Sequence, residues 1–297
     1  MILKTTLAAL AAFTLAASVQ AAPAYESKFA SNDGVKIHYT AAGKGPLVVM
    51  LHGFPEYWGF YKSLMDQLDG EYRVAAMDLR GYNLSDKPQG EASYAFPKLI
   101  GDVEAVMKAE GRDKAIVIGH DWGAAIAWRV AMNRPELVDK LVIMSVPHPA
   151  GFAREMATNA EQQKNSQYAR NFQQPGFEKN LTPEGLTARA PASIKEEWTQ
   201  ALKRSDMTAL LNYYRANYPK GTGDAVKPEP TPPIQAPVLV IHGVKDTSLH
   251  HAGHSGTWEH VTADTTILML PMAGHDVQHD APALVDRTIH DWLNARR

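Results

Sequence analysis

Six stretches of the chain are apolar almost without a break and end in turn residues: "PLVVMLHG", "YRVAAMDLRG", "KAIVIGHD", "DKLVIMSVP", "APVLVIHGVKD" and "TTILMLPMAGH". Their length and β-branched content fit strands buried on both faces rather than helices. Ahead of them "VKIHYTAAG" alternates apolar and polar positions like an exposed strand. Between most of the runs lie helical periodicities such as "LIGDVEAVMKAE" and "AAIAWRVAMNRP", and "ALVDRTIHDWLNARR" closes the chain in the same pattern. Strands alternating with helices predict βαβ units and a mostly parallel, doubly wound α/β sheet with helices on both faces.

The alternation stops between His148 and Val226, where helical patterns rich in Gln, Asn, Lys and Arg follow one another without strands. "VPHPAG" precedes this region and the Pro-dense "KPEPTPPIQAP" follows it, a stretch that can neither continue a helix nor enter a central strand. The strand series then resumes. The expected organisation is one core, residues 22–147 and 227–297, with a helical cap, 148–226, inserted between two of its strands.

Composition narrows the class. An apolar share of 45% with 21% charged residues suits a globular enzyme, and a net charge of −2 gives neither nucleic acid nor an anionic membrane surface anything to hold. Without cysteine there is neither a disulfide framework nor a thiol nucleophile. Residues 1–21 read as a signal peptide: Lys4, the small apolar run "TTLAALAAFTLAA", and Val19 and Ala21 at the positions that precede cleavage. That run falls short of the ~20 apolar residues of a membrane span. The expectation is an exported protein, periplasmic or secreted, with no membrane span.

Ligands of open parallel sheets bind beyond the carboxyl ends of the strands. There the chain carries "HGFPE", "GHDWG", "HGVKD" and "AGHD". In "VIGHDWGAAIAW" Asp121 occupies the corner where a G-x-S-x-G elbow would place serine. The order HGFP, G-x-D-W-G, Asp after a late strand and a C-terminal G-H resembles the α/β-hydrolase fold, and an Asp nucleophile under a helical cap resembles its epoxide hydrolases.

A carboxylate with an ordinary pKa of ~3.9 is already ionised and attacks saturated carbon without a base. The resemblance implies that Asp121 forms an alkyl ester, that His275 activates water against it, and that Asp246 orients His275. It also implies that the backbone N–H groups of Phe54 and Trp122 hold the oxyanion. An opening epoxide leaves as an alkoxide and needs a proton, which a phenol supplies while staying protonated at neutral pH. "YARNFQQPG" and "LLNYYRANY" resemble the stretches that carry the ring-opening tyrosines, here Tyr168 and Tyr214, with Tyr213 the neighbour to be told from Tyr214. Phe54, Pro55, Trp122 and Phe172 are the expected substrate contacts, and Pro55 resembles a position often in a cis peptide. No cofactor or metal is implied: His250, His251 and His254 have suggestive spacing but no clear carboxylate or cysteine partner.

Two positions depart from the family pattern. Asn83 replaces a common glycine in "RGYNLSDKP" and tolerates positive φ, and Asp276 follows His275 where an aromatic is frequent, which makes that wall more polar or perturbs His275. The expected activity is hydration of a small-molecule epoxide to a vicinal diol. A haloalkane or haloacetate dehalogenase built on the same Asp nucleophile remains an alternative, as does a non-catalytic binder of small hydrophobic ligands. The oligomeric state is open, a homodimer included.

Overall fold

Every apolar run becomes a strand of one sheet. In the computed structural model, which describes residues 25–226 and 231–296, the strands are β1 (Glu26–Asn32), β2 (Val35–Ala42), β3 (Leu47–Leu51), β4 (Arg73–Met77), β5 (Ala115–His120), β6 (Val138–Met144), β7 (Val238–Gly243) and β8 (Thr265–Leu270). They lie in the order β1-β2-β4-β3-β5-β6-β7-β8. The pairs from β4 to β8 are parallel, while β1–β2 and β2–β4 are antiparallel. The signal peptide expected over residues 1–21 lies outside the described residues.

Alternate residues of the central strands enter two separate cores. Val49, Leu51, Val117, Leu141, Ile143 and Val240 face α2 (Phe96–Ala109) and α3 (Trp122–Asn133) once α1 (Lys62–Leu68) has crossed to the other side. Val48, Met50, Ile116, Ile118, Val142 and Ile241 face α1 and the terminal helix. Each such side chain, fully withdrawn from water, contributes ~1.5–3 kcal/mol, so both faces of the sheet are hydrophobic and the runs read as unbroken.

Three strands differ from their sequence signal, among them β8, an edge strand whose residues before Leu270 are only half-buried. β1, "ESKFASN", is a polar edge whose one large apolar residue, Phe29, is 54% exposed, so no apolar pattern marks it. β2 reads as exposed, yet from Ile37 to Ala42 every residue is buried. It pairs with β1 on one side and β4 on the other, and α2 packs against it.

From the end of β6 to the start of β7 the described chain forms no strand of the sheet. It runs through α4 (Pro149–Thr158), α5 (Ala160–Asn165), α6 (Gln167–Phe172), α7 (Pro183–Leu186), α8 (Ala192–Lys203) and α9 (Met207–Asn217). Pro149 and Pro183 stand in the first turns of α4 and α7, where a missing N–H costs nothing. Asp206 caps α9 by accepting from Ala209 N–H at 2.9 Å. Arg204 joins cap to core by donating to Asn83 at 2.7 Å, and Asn83 holds its turn at φ 40°. After β8 come α10 (Val277–Asp280) and α11 (Pro282–Asn294). Among the described residues no helix is long and apolar enough to cross a membrane.

The winding reverses between β3 and β5: the chain leaves β3 for β4 on one side and returns to β5 on the other. A crevice opens at such a switch point, above the carboxyl ends of the two strands. The loops that begin with His52 and with Asp121 meet there.

Candidate active site

Asp121 is the hinge between β5 and α3, held at φ 48° and ψ −119°. A β-carbon at that angle costs ~1–3 kcal/mol, which the surrounding packing must overcome. The flanking glycines show how tight the corner is. A Cβ on Gly119 would lie 2.4 Å from the Gly123 carbonyl oxygen, and one on Gly123 would lie 1.9 Å from that of Leu51. The strain presents the carboxylate to the crevice.

One carboxylate oxygen of Asp121 accepts the Phe54 N–H at 2.7 Å, and the other lies 3.3 Å from Nε2 of His275. The Phe54–Pro55 bond is cis. Of the two expected oxyanion donors only the Phe54 N–H is bonded to the carboxylate; the Trp122 N–H makes no hydrogen bond to it. On the far side of the ring, Nδ1 of His275 donates to Asp246 at 2.7 Å. Asp246 is fixed in turn, its other oxygen accepting the N–H groups of Ser248 and Leu249 at 2.7 and 2.9 Å. Burial disfavours the charged imidazole, but the carboxylates of Asp246 and Asp121 outweigh it and hold His275 well above the ordinary imidazole range. Ser145, in the place after β6 where a rival acid would stand, donates its hydroxyl to the His275 carbonyl instead.

A cavity of about 380 Å³ separates this core face from the cap, and Asp121, Trp122, Tyr168 and Tyr214 all line it. Tyr168 is on α6 and Tyr214 on α9, their rings 6.1 Å apart and nearly perpendicular. Burial foremost, then a neighbouring phenol and the Asp121 anion, pushes both hydroxyls well above the ordinary phenol range. Tyr213 points away, donating its hydroxyl to the Arg80 carbonyl at 2.8 Å.

Of the expected substrate contacts, Trp122 lines the cavity. The rings of Phe54 and Phe172 lie 5.7 and 5.0 Å from that of Tyr214 and pack against it. The Pro55 carbonyl is held by the Trp198 indole N–H at 2.8 Å.

A second polar cluster lies beneath the first. His120 has the Glu56 carboxylate and the Gln278 amide nitrogen each 3.1 Å from Nδ1 and the His275 carbonyl 3.1 Å from Nε2, and the two acceptors favour the charged ring. Burial works against that charge and Glu56 overcomes it. Glu56 also accepts the Gly53 N–H at 2.8 Å. The loop bearing Phe54, the corner bearing Asp121 and the loop bearing His275 are thereby tied together. Both residues stand within motifs noticed in the sequence, but their pairing spans distant segments. Asp276 turns outward, half-exposed, 3.7 Å from His120 Nε2.

His250, His251 and His254 do not converge. The first two stack on each other at 4.3 Å, while His254 packs on His242 at 4.4 Å. Among the described residues, only His120, His275 and Asp276 bring three ligating atoms close together. Two of these three are held by the hydrogen bonds above.

Behind the site, three histidines are buried without charge. Burial chiefly, aided by His260 and Arg129, pushes His148 down to about 3; burial pushes His242 down to about 4 and His254 well below the ordinary value. In the unfolded chain these rings take up a proton near pH ~6.5. Their contribution is therefore complete above that pH and is lost as the pH falls toward the folded values. The raised pair, His120 and His275, is protonated in both states below pH ~6.5 and adds no slope there. At ~1.4 kcal/mol per pH unit for each titrating ring, the unfolding free energy should fall by several kcal/mol between pH 6.5 and 5. Denaturant titrations across that interval measure it, with a shallower slope expected for His254→Gln; a flat profile would contradict the assignment.

Residues 46–282 match a family described as the alpha/beta hydrolase fold. The AB hydrolase superfamily protein YfhM of Bacillus subtilis is 35% identical over 90% of this chain and 97% of its own length. Epoxide hydrolase 1 of Caenorhabditis elegans is 31% identical, over 91% of this chain and 70% of its own. A crystal structure of a mutant epoxide hydrolase from Bacillus megaterium, complexed with its product (R)-3-[1]naphthyloxy-propane-1,2-diol, superposes with a TM-score of 0.81 at 30% identity. It covers 90% of this chain and 100% of that one. A strained carboxylate facing two cap phenols is thus met by likeness along nearly the whole chain, which belongs to the alpha/beta hydrolase fold family and, within it, to the epoxide hydrolases.

Proposed function

We propose that the protein adds water to a small-molecule epoxide, giving a vicinal diol through an ester of Asp121. The observation that carries this reading is the cavity that sets the Asp121 carboxylate against the phenols of Tyr168 and Tyr214. A carboxylate alone could displace many leaving groups, but two phenols suit an oxygen that must be protonated as it departs. The vicinal diol bound by the Bacillus megaterium relative supports the same chemistry. A departing halide has no use for the phenols, and a receptor has none for a carboxylate–imidazole–carboxylate chain.

In the first step an oxygen of Asp121 attacks a ring carbon, the carbon–oxygen bond of the epoxide breaks, and the new alkoxide takes a proton from Tyr168 or Tyr214. Esterification also removes one of the two anions that hold the His275 proton. That proton leaves through water to restore the phenol, and the first step thereby produces the base needed by the second. His275 then takes a proton from water as the oxygen attacks the ester carbonyl, with the Phe54 N–H, joined by that of Trp122, on the oxyanion. One such donor is worth roughly 10²–10³ in rate. Collapse breaks the acyl–oxygen bond, the hydroxyl proton of the intermediate passes to the departing diol, and the carboxylate and the imidazolium are restored.

Single-turnover hydrolysis in heavy-oxygen water tests the route. The first diol should carry no label, because its new oxygen comes from Asp121, and the label should enter Asp121 itself. Labelled diol in the first turnover would mean direct attack by water. The basic start and small-residue apolar run of residues 1–21 support export of the mature chain.

A further inference from the structure

Three charged side chains line the cavity among the described residues, and they are not mixed. Asp121 stands at the amino end of α3, whereas Arg129 is near the other end of that helix and Lys220 follows α9. Trp122, Ala125 and Arg129, spaced at i, i+3 and i+7, put one face of α3 along the cavity wall. Eight residues of helix separate the backbone of the nucleophile from that of Arg129 by ~12 Å along the axis.

Arg129 is not bound by the protein in the way several of its arginines are. Arg73, Arg80, Arg134, Arg154 and Arg215 each meet a carboxylate. Arg129 makes no hydrogen bond or ion pair with any described residue. Its guanidinium lies over the Phe96 ring, 5.0 Å from the centroid, a contact that supports the plane while leaving its N–H groups unclaimed. The nearby polar groups do not claim them either. Asn217 gives its amide to the Tyr94 and Tyr213 carbonyls and accepts from Phe96 N–H. His148 accepts from Ala150 N–H and is uncharged, and the field of Arg129 helps keep it so. Lys220, exposed beside the same opening, likewise has no acidic partner among the described residues.

We infer that the cavity selects epoxides that carry a carboxylate at the far end of an apolar body, with Arg129, assisted by Lys220, receiving the carboxylate while Asp121 attacks the ring. The polarity follows from the charges: the substrate anion is repelled from Asp121 and drawn to the planar, five-donor group at the other end. Between them the walls are Trp122, Ala125, Trp128 and Phe152, which suit hydrocarbon. Arg129 is thus a specificity-determining residue. This assignment rests on the epoxide-hydrolase reading above.

The test compares a terminal-epoxy medium-chain alkanoate with its primary amide. The wild type should favour the carboxylate by about tenfold in kcat/KM at low ionic strength, mainly through KM, as one charge-assisted contact at a partly wet site would give. Added salt should shrink the gap. Arg129→Met should bring the ratio near one, Arg129→Lys should keep part of it, and Lys220→Glu should lower it. The salt response of the wild type and the Lys220 variant decide the matter even if an Arg129 variant misfolds. Equal rates on both probes, or a preference unmoved by salt and by these substitutions, would overturn the inference while leaving epoxide hydrolysis intact. If folded wild type hydrolyses neither probe, the epoxide-hydrolase reading itself fails along with it.

Discussion

His275→Gln protein should take up one equivalent of epoxide, gain the mass of the substrate on Asp121, and then turn over slower by about 10²–10⁴-fold, the usual contribution of a positioned base. The expectation comes from the unequal needs of the two steps. Alkylation uses a carboxylate that is ionised at neutral pH without help, whereas hydrolysis of the ester needs a proton acceptor beside the attacking water. Glutamine retains a hydrogen bond to Asp246 but cannot accept that proton. Intact-protein mass spectrometry reads the adduct directly, and adding Asp121→Ser to the His275→Gln protein should abolish it. No mass increase with any of a panel of reactive epoxides would remove Asp121 from the role of nucleophile. Undiminished turnover would remove His275 from that of base.

The double replacement Tyr168→Phe/Tyr214→Phe should act on the other step. Each ring stays in place for packing, and only its hydroxyl is lost. An epoxide oxygen expelled without a proton is too basic to leave at a useful rate, so adduct formation should slow by ~10²–10⁴. Either single replacement should cost less, because the second phenol remains. Placed in the His275→Gln background and followed by mass, the double variant isolates ring opening from ester hydrolysis. Alkylation at the wild-type rate would mean that the phenols do not protonate the departing oxygen. Release of halide from a haloalkane that proceeds equally fast with and without them would favour dehalogenation instead.

Much of this molecule could be read from the chain because its central strands are buried on both faces. β3 to β7 appear as continuous apolar runs for that reason, β8 as a half-buried run at the edge, and the endings of β5, β7 and β8 carry Asp121, Asp246 and His275 as short local motifs. β1 carried no such sign, being polar and at an edge, and the burial of β2 depends on strands and a helix that no local pattern reveals. The cap was less legible. Tyr168 and Tyr214 could be singled out by their surroundings in sequence, but their packing against Phe54 and Phe172 could not. Facing is set by helix rotation and by contacts between distant segments. Arg129 escaped notice although its spacing from Trp122 and Ala125 places all three on one side of α3, since such spacing alone does not say which side is open.

The ion pair of Glu56 and His120 has a consequence for how such an enzyme can change. Three loops leaving three different strands are fastened at one buried knot, so none of the reacting groups can be re-aimed alone without loosening the other two. Beyond the two phenols, the opposite wall meets the floor through single contacts such as that of the Trp198 indole with the Pro55 carbonyl. New substrate preferences in a lineage built this way should accumulate as substitutions in the roof, while the floor that makes and breaks bonds is inherited as a single piece.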